Sequence, residues 1–114
     1  MCGPRFAAWR RRCQVQALRL GCVYSVERAG VGCNWSATNR PAASRYVLLR
    51  SVDGAARERI YSTWIRGKRS HFDPDVKPGQ TVRYAVLAVA PSGRVVAIGG
   101  PVVVTIPEVT PASR

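Results

Sequence analysis

The chain has 114 residues, 46% of them hydrophobic and 21% charged, which fits one domain with a single core and excludes two. Against 18 Lys and Arg stand 6 Asp and Glu, for a net charge of +12, with one His. That supply is poor in metal ligands and general bases and rich in attraction for polyanions. No apolar run approaches the ~18–20 residues of a membrane helix.

Residues 1–14, MCGPRFAAWRRRCQ, read as a basic arm. A secretory leader would continue with ~7–15 uninterrupted apolar residues. Instead QVQALRLGCVYSV follows, broken by Arg19 and glutamines, and Arg19 also occupies the aliphatic position of a lipoprotein cleavage box at Leu20-Gly21-Cys22. Beyond the arm the chain remains net basic.

From Val15 onward, short runs rich in Val, Ile, Tyr, Thr and Leu alternate with turn signals. The first strand is expected at Val15–Val23, closed by Arg28-Ala29-Gly30. The second, Gly30–Ala37, puts Val31, Cys33 and Trp35 on one face and stops at Asn39-Arg40-Pro41. The third, Arg45–Ser51, sets Tyr46, Leu48 and Arg50 against Arg45, Val47 and Leu49, and turns at Asp53-Gly54. The fourth and fifth, Glu58–Trp64 and Ser70–Phe72, are separated by Arg66-Gly67-Lys68. After Lys77-Pro78-Gly79 comes the sixth, Thr81–Ala90, with Val82, Tyr84, Val86 and Ala88 opposing Arg83, Ala85, Leu87 and Val89. Pro91-Ser92-Gly93 makes the next turn. Gly99-Gly100-Pro101 opens the last strand, Pro101–Ile106, for which either alternation can face inward. Seven short strands with frequent turns predict an all-β, seven-stranded antiparallel two-sheet sandwich over residues 15–108, between the basic arm and a tail at 109–114.

No catalytic constellation can be assembled. His71 has no Cys or Ser at a suggestive spacing. Asp73 and Asp75, flanking Pro74, read as turn chemistry. They are too few for a calcium loop and lack the opposed carboxylate that acid/base hydrolysis needs. Catalytic residues, metal ligands and cofactors are therefore expected to be none. Two features suggest binding. Tyr61 and Trp64 are interleaved with Arg66, Lys68 and Arg69, a ring-and-cation mixture suited to sugars, nucleobases or acidic polymers; the same residues could equally be guarding a sheet edge. The outward set Val47, Leu49, Leu87 and Val89 would form an apolar patch on one sheet, a docking surface for a protein or for the arm.

From Val15 to Glu108 the chain resembles a fibronectin type III domain of the bacterial extracellular kind. The resemblance rests on Cys33-Asn34-Trp35-Ser36, on Tyr46-Val47-Leu48-Leu49 before Asp53-Gly54, and above all on Pro78-Gly79 before the alternating Thr81–Val89. The family's corner Tyr falls on Val82, so its hydroxyl bond is expected to be missing and a Tyr there to be tolerated. The family's first two strands pair, which would bring Cys22 and Cys33 together as a disulfide, the alternative being two buried thiols. Their spacing is also similar to class I cytokine receptors, but no Trp-Ser-x-Trp-Ser follows. The resemblance implies a non-catalytic, secreted or cell-surface interaction, adhesion or spacer module with a protein or polysaccharide partner, accessory to a cell-wall or carbohydrate-active protein. The alternative is a nucleic-acid-associated or phage-type structural protein anchored by its basic surface.

Overall fold

In the computed structural model, residues 15–40, 43–64 and 67–108 are described. They form β1 (Gln16–Leu18), β2 (Leu20–Ser25), β3 (Gly30–Trp35), β4 (Arg45–Val52), β5 (Glu58–Thr63), β6 (Ser70–Asp73), β7 (Thr81–Val89) and β8 (Val95–Thr105). One sheet has five strands in the order β1-β8-β7-β4-β5, and the other has three, β2-β3-β6. All pairings are antiparallel except β1 with β8. The two-sheet sandwich is as expected; the strand count rises from seven to eight because the run Val15–Val23 is two strands. Leu18 pairs with Gly99 in one sheet and Leu20 with Trp35 in the other. Between them Arg19 donates its N–H to Ser36 Oγ at 3.0 Å and accepts the Ser36 N–H at 2.9 Å, which holds the crossing from sheet to sheet.

Burial follows the alternation. Val82, Tyr84, Val86 and Ala88 have no exposure and line the middle of the core with Leu48, Val31, Cys33 and Trp35. In the last strand Val104 and Ile106 face inward while Val103 is exposed, which resolves the two readings of that segment. A phenol at position 82 would have to displace core atoms, so the full burial of Val82 corrects the expectation that Tyr is tolerated there.

Gly99-Gly100-Pro101 does not open a strand. It lies within β8, where the register with β7 shifts between Tyr84 and Val86, leaving Ala85 opposite a bulge. Glycine is required there. A Cβ on Gly99 would come within 2.9 Å of Val86 Cγ1 and 3.0 Å of Leu18 O, and Gly100 has φ 92°. The Lys77-Pro78-Gly79-Gln80 corner uses the same freedom, with Gly79 at φ 84° and the Gln80 N–H donating to Lys77 O at 3.2 Å.

The two sheets are joined through a charge. Arg50, Tyr84 and Glu58 share one inward row of the large sheet, and Asp73, at the end of β6, faces them from the small one. Arg50 Nη1 donates to Asp73 Oδ1 at 2.8 Å and Oδ2 at 3.0 Å. The Tyr84 hydroxyl donates to Oδ2 at 2.7 Å and the Asp75 N–H to Oδ1 at 3.1 Å. Arg50 also pairs with Glu58. Asp73 is thus more than a turn residue: it is 2% exposed and fully engaged, and only its bond to Asp75 belongs to turn chemistry. The missing corner bond is replaced by that of Tyr84, two residues further along β7. Burial works to lower the Arg50 pKa, but its bonds to Glu58 and Asp73 outweigh this and raise it. Burial and then the bond to Asp73 raise that of Tyr84.

Cys22 and Cys33 form the disulfide, directly opposite one another on β2 and β3 with Cα atoms 4.1 Å apart. Closing this short loop contributes about 2–3 kcal/mol on the chain-entropy estimate.

Removing the carboxylate that joins the sheets should cost far more than a surface change. Asp73→Ala is expected to lose roughly 3–5 kcal/mol, because the Arg50 charge is left without its partner. Urea denaturation reads this directly, and a loss below about 1 kcal/mol, the scale of an exposed pair, would show that the contact does not bind the sheets together.

Candidate functional site

The pairing registers define the outer face of the five-stranded sheet row by row. Val47 stands between Ser62 and Leu87, which pairs on with Ile98. In the next row Leu49 stands between Arg59 and Ala85, and beyond it Ser51 pairs with Arg83. At the other end Arg45 pairs with Val89, and its guanidinium lies 5.2 Å from the ring centroid of Trp64.

The expected apolar patch is narrower than its four residues suggest. Val47 and Val89 are only 6% and 4% exposed. Short β-branched side chains in the middle of a wide sheet sit below longer neighbours, here Arg45 and Leu49 along β4 and Leu87 across from it. Leu49 and Leu87 are half-buried, and Ile98 is 41% exposed, so the open apolar surface is Leu49, Leu87 and Ile98.

The basic-aromatic segment also divides. Tyr61 and Trp64 are three positions apart, so a strand period of two sends them to opposite faces. Tyr61 pairs with Leu48, stacks on His71 at 4.3 Å and tilts against Trp35 at 6.4 Å, which places it with the core rather than with the cations. Trp64 is 65% exposed. Lys68 is exposed; so is Arg69, whose Nη1 donates to Trp35 O at 3.4 Å. Arg66 lies outside the described residues, as do Cys2 and Cys13.

One feature of this face was not read from the sequence. A groove of about 360 Å³ opens beside the β8 bulge, lined by Leu49, Ser51, Arg57, Arg83, Ala85 and Pro101 among others. The alternation of β7 already sets Arg83 on the face opposite Tyr84, although not as part of a groove. Arg57 could not be placed in this way, because it sits in the loop before β5. Among the described residues both ion pairs belong to Arg50, and Arg57, Arg59, Arg83 and Lys68 have no carboxylate partner. Among the same residues no group of three His, Cys, Asp or Glu is placed to hold a metal ion, and no helix is long and apolar enough to cross a membrane.

With this arrangement of sheets the protein has a fibronectin type III-like fold. It is similar in structure to a Fn3-like protein from Clostridium thermocellum, at 23% identity and a TM-score of 0.60 over 80% of this chain and 91% of that one. It is also similar to pectate lyase PelI from Erwinia chrysanthemi, in a structure with tetragalacturonic acid, at 20% identity and a TM-score of 0.63 over 76% of this chain. This chain spans 28% of that lyase, so the likeness covers a minor part of it. A myokine structure is matched along its whole length, at 13% identity and a TM-score of 0.64. No family model and no curated protein matches the chain.

The His71 imidazole is held below its ordinary pKa of 6.5 by burial, with the Asp73 charge opposing. The unfolded chain therefore takes the proton first as pH falls, so this contribution to stability is full above 6.5 and declines below it until the native pKa is passed. Urea midpoints measured from about pH 7 to about pH 5 should fall in the wild type and fall less in His71→Phe. Equal declines would show that His71 does not carry this dependence.

Proposed function

We propose that this chain is a non-catalytic, extracytoplasmic interaction module that holds an acidic polysaccharide on its basic surface, as an accessory to a carbohydrate-active or cell-wall protein. The observation that carries this reading is the division of charge. Arg50 takes both ion pairs among the described residues, while Arg57, Arg59, Arg83 and Lys68 stand without a carboxylate and Arg45 lies over the exposed Trp64. Cations on a rigid sheet, beside open apolar and aromatic surface, are what a carboxylate-bearing sugar chain requires: charge for its acids and C–H contact for its rings.

Two further facts support the reading. The disulfide between Cys22 and Cys33 suits an oxidising compartment and hence a secreted or cell-surface location. One structural neighbour is a lyase held with an acidic sugar oligomer. The same charge would serve a nucleic-acid anchor, but the disulfide favours the extracytoplasmic assignment.

The test is co-sedimentation of the full chain with polygalacturonate, heparin and DNA over a salt series. Retention on an acidic polysaccharide is expected to persist at about 0.5 M salt, where the screening length is only ~4–5 Å. Equal loss from all three polymers at that salt would mean that net charge alone drives binding, and would overturn the reading.

A further inference from the structure

We propose that the groove beside the β8 bulge is a uronate-binding site, in which Arg57 and Arg83 grip carboxylates on an oligosaccharide lying across the outer face of the large sheet. This rests on the acidic-polysaccharide reading and assigns it to one place. Three observations carry it. The first is charge complementarity: Arg57 and Arg83 both line the groove, and neither has an acidic partner among the described residues. A guanidinium fork matches a carboxylate with two parallel hydrogen bonds, which a lysine cannot reproduce.

The second is the floor. Leu49, Ala85 and Pro101 present apolar carbon, which suits the C–H face of a pyranose ring. Ser51 Oγ donates to Ala55 O at 2.5 Å, so its lone pairs remain to accept from a sugar hydroxyl. The third is what the groove lacks. Single-stranded nucleic acid is held by aromatic platforms on which bases stack. Tyr84 is the one aromatic residue lining the groove, and its ring is turned into the core with its hydroxyl on Asp73, so it contributes backbone alone. Trp64, the exposed aromatic residue of this face among the described residues, belongs to its opposite end, beside Arg45.

Spacing favours an oligomer over a single sugar. Arg83 pairs with Ser51 on β4, and Arg57 immediately precedes Glu58, which pairs with the neighbouring Arg50. Arg83 on β7 and Arg57 at the entry to β5 therefore stand on either side of β4, with backbones roughly 10 Å apart, about two inter-strand spacings. Two forks at that separation hold two points of a chain. Arg59, one row along and opposite Leu49, extends the same line of cations.

Calorimetric titration of the full chain with tetragalacturonate, its methyl-esterified form, monomeric galacturonate and a short single-stranded DNA tests the assignment. Tetragalacturonate is expected to bind, and the ester and the monomer to bind at least about tenfold more weakly, the scale of one lost charge-assisted hydrogen bond. Arg83→Gln and Arg57→Gln should each weaken tetragalacturonate by a similar factor, with Lys77→Gln, at an exposed cation in the corner before β7, changing it by less than about twofold. These arginines are exposed and have no acidic partner among the described residues, and unchanged melting curves will confirm that the variants fold. If tetragalacturonate binds but all three variants weaken it equally, or the ester binds as well as the acid, the groove assignment fails while the polysaccharide reading stands. Tighter binding of DNA with the same arginine dependence overturns the choice of ligand. No binding of tetragalacturonate by the wild type overturns the uronate site; polysaccharide retention in the sedimentation test then decides whether the broader reading survives.

Discussion

The Asp73 carboxylate is the point on which the structure depends. It is a charge inside a sandwich, where an unpaired ion would be very costly, and it is accommodated because Arg50 and Tyr84 both reach it from the other sheet. Those two residues lie on adjacent strands in the same inward row, so their register, and with it that of β4 on β7, is fixed by a shared partner. A slip of one residue in either strand would turn its own group to solvent and deprive the buried carboxylate of that partner. The disulfide performs a local task by comparison, fastening β2 to β3 within the small sheet.

The same arrangement explains the chemistry of the surface. With only 6 acidic residues against 18 basic ones, each acid used internally leaves the outside more cationic. Asp73 and Glu58 both pair with Arg50, and the outer-face residues Arg57, Arg59 and Arg83 have no carboxylate partner among the described residues. The bulge that glycines 99 and 100 permit in β8 turns part of that face from a flat sheet into a groove. Fold and candidate site thus meet at β7, where Tyr84 looks inward to Asp73 and Arg83 and Ala85 look outward.

Much of this was legible in the sequence because a strand has a period of two. Val82, Tyr84, Val86 and Ala88 declare an inner face, and Tyr46, Leu48 and Arg50 declare another. The arginine in that second set called for a buried acid, yet nothing local named Asp73, which lies 23 positions away in the other sheet. Physical ambiguity hid the rest. The run Val15–Val23 is strand-forming throughout, so the change of sheet at Arg19 has no compositional mark. Tyr61 and Trp64 were grouped by proximity, although their odd separation places them on opposite faces. The groove arises from small side chains and a displaced backbone, and alternation does not reveal where a strand bulges.

The most direct measurement is a map of backbone amide shifts in isotopically labelled protein as tetragalacturonate is added. If the anion sits where charge and shape converge, the changes will centre on Leu49, Ser51, Arg57, Arg83 and Ala85 and leave Lys77 and the β2–β3 hairpin unmoved. Changes spread evenly over every exposed cation, or confined to Trp64 and Lys68, would contradict a built site on the outer face of the large sheet.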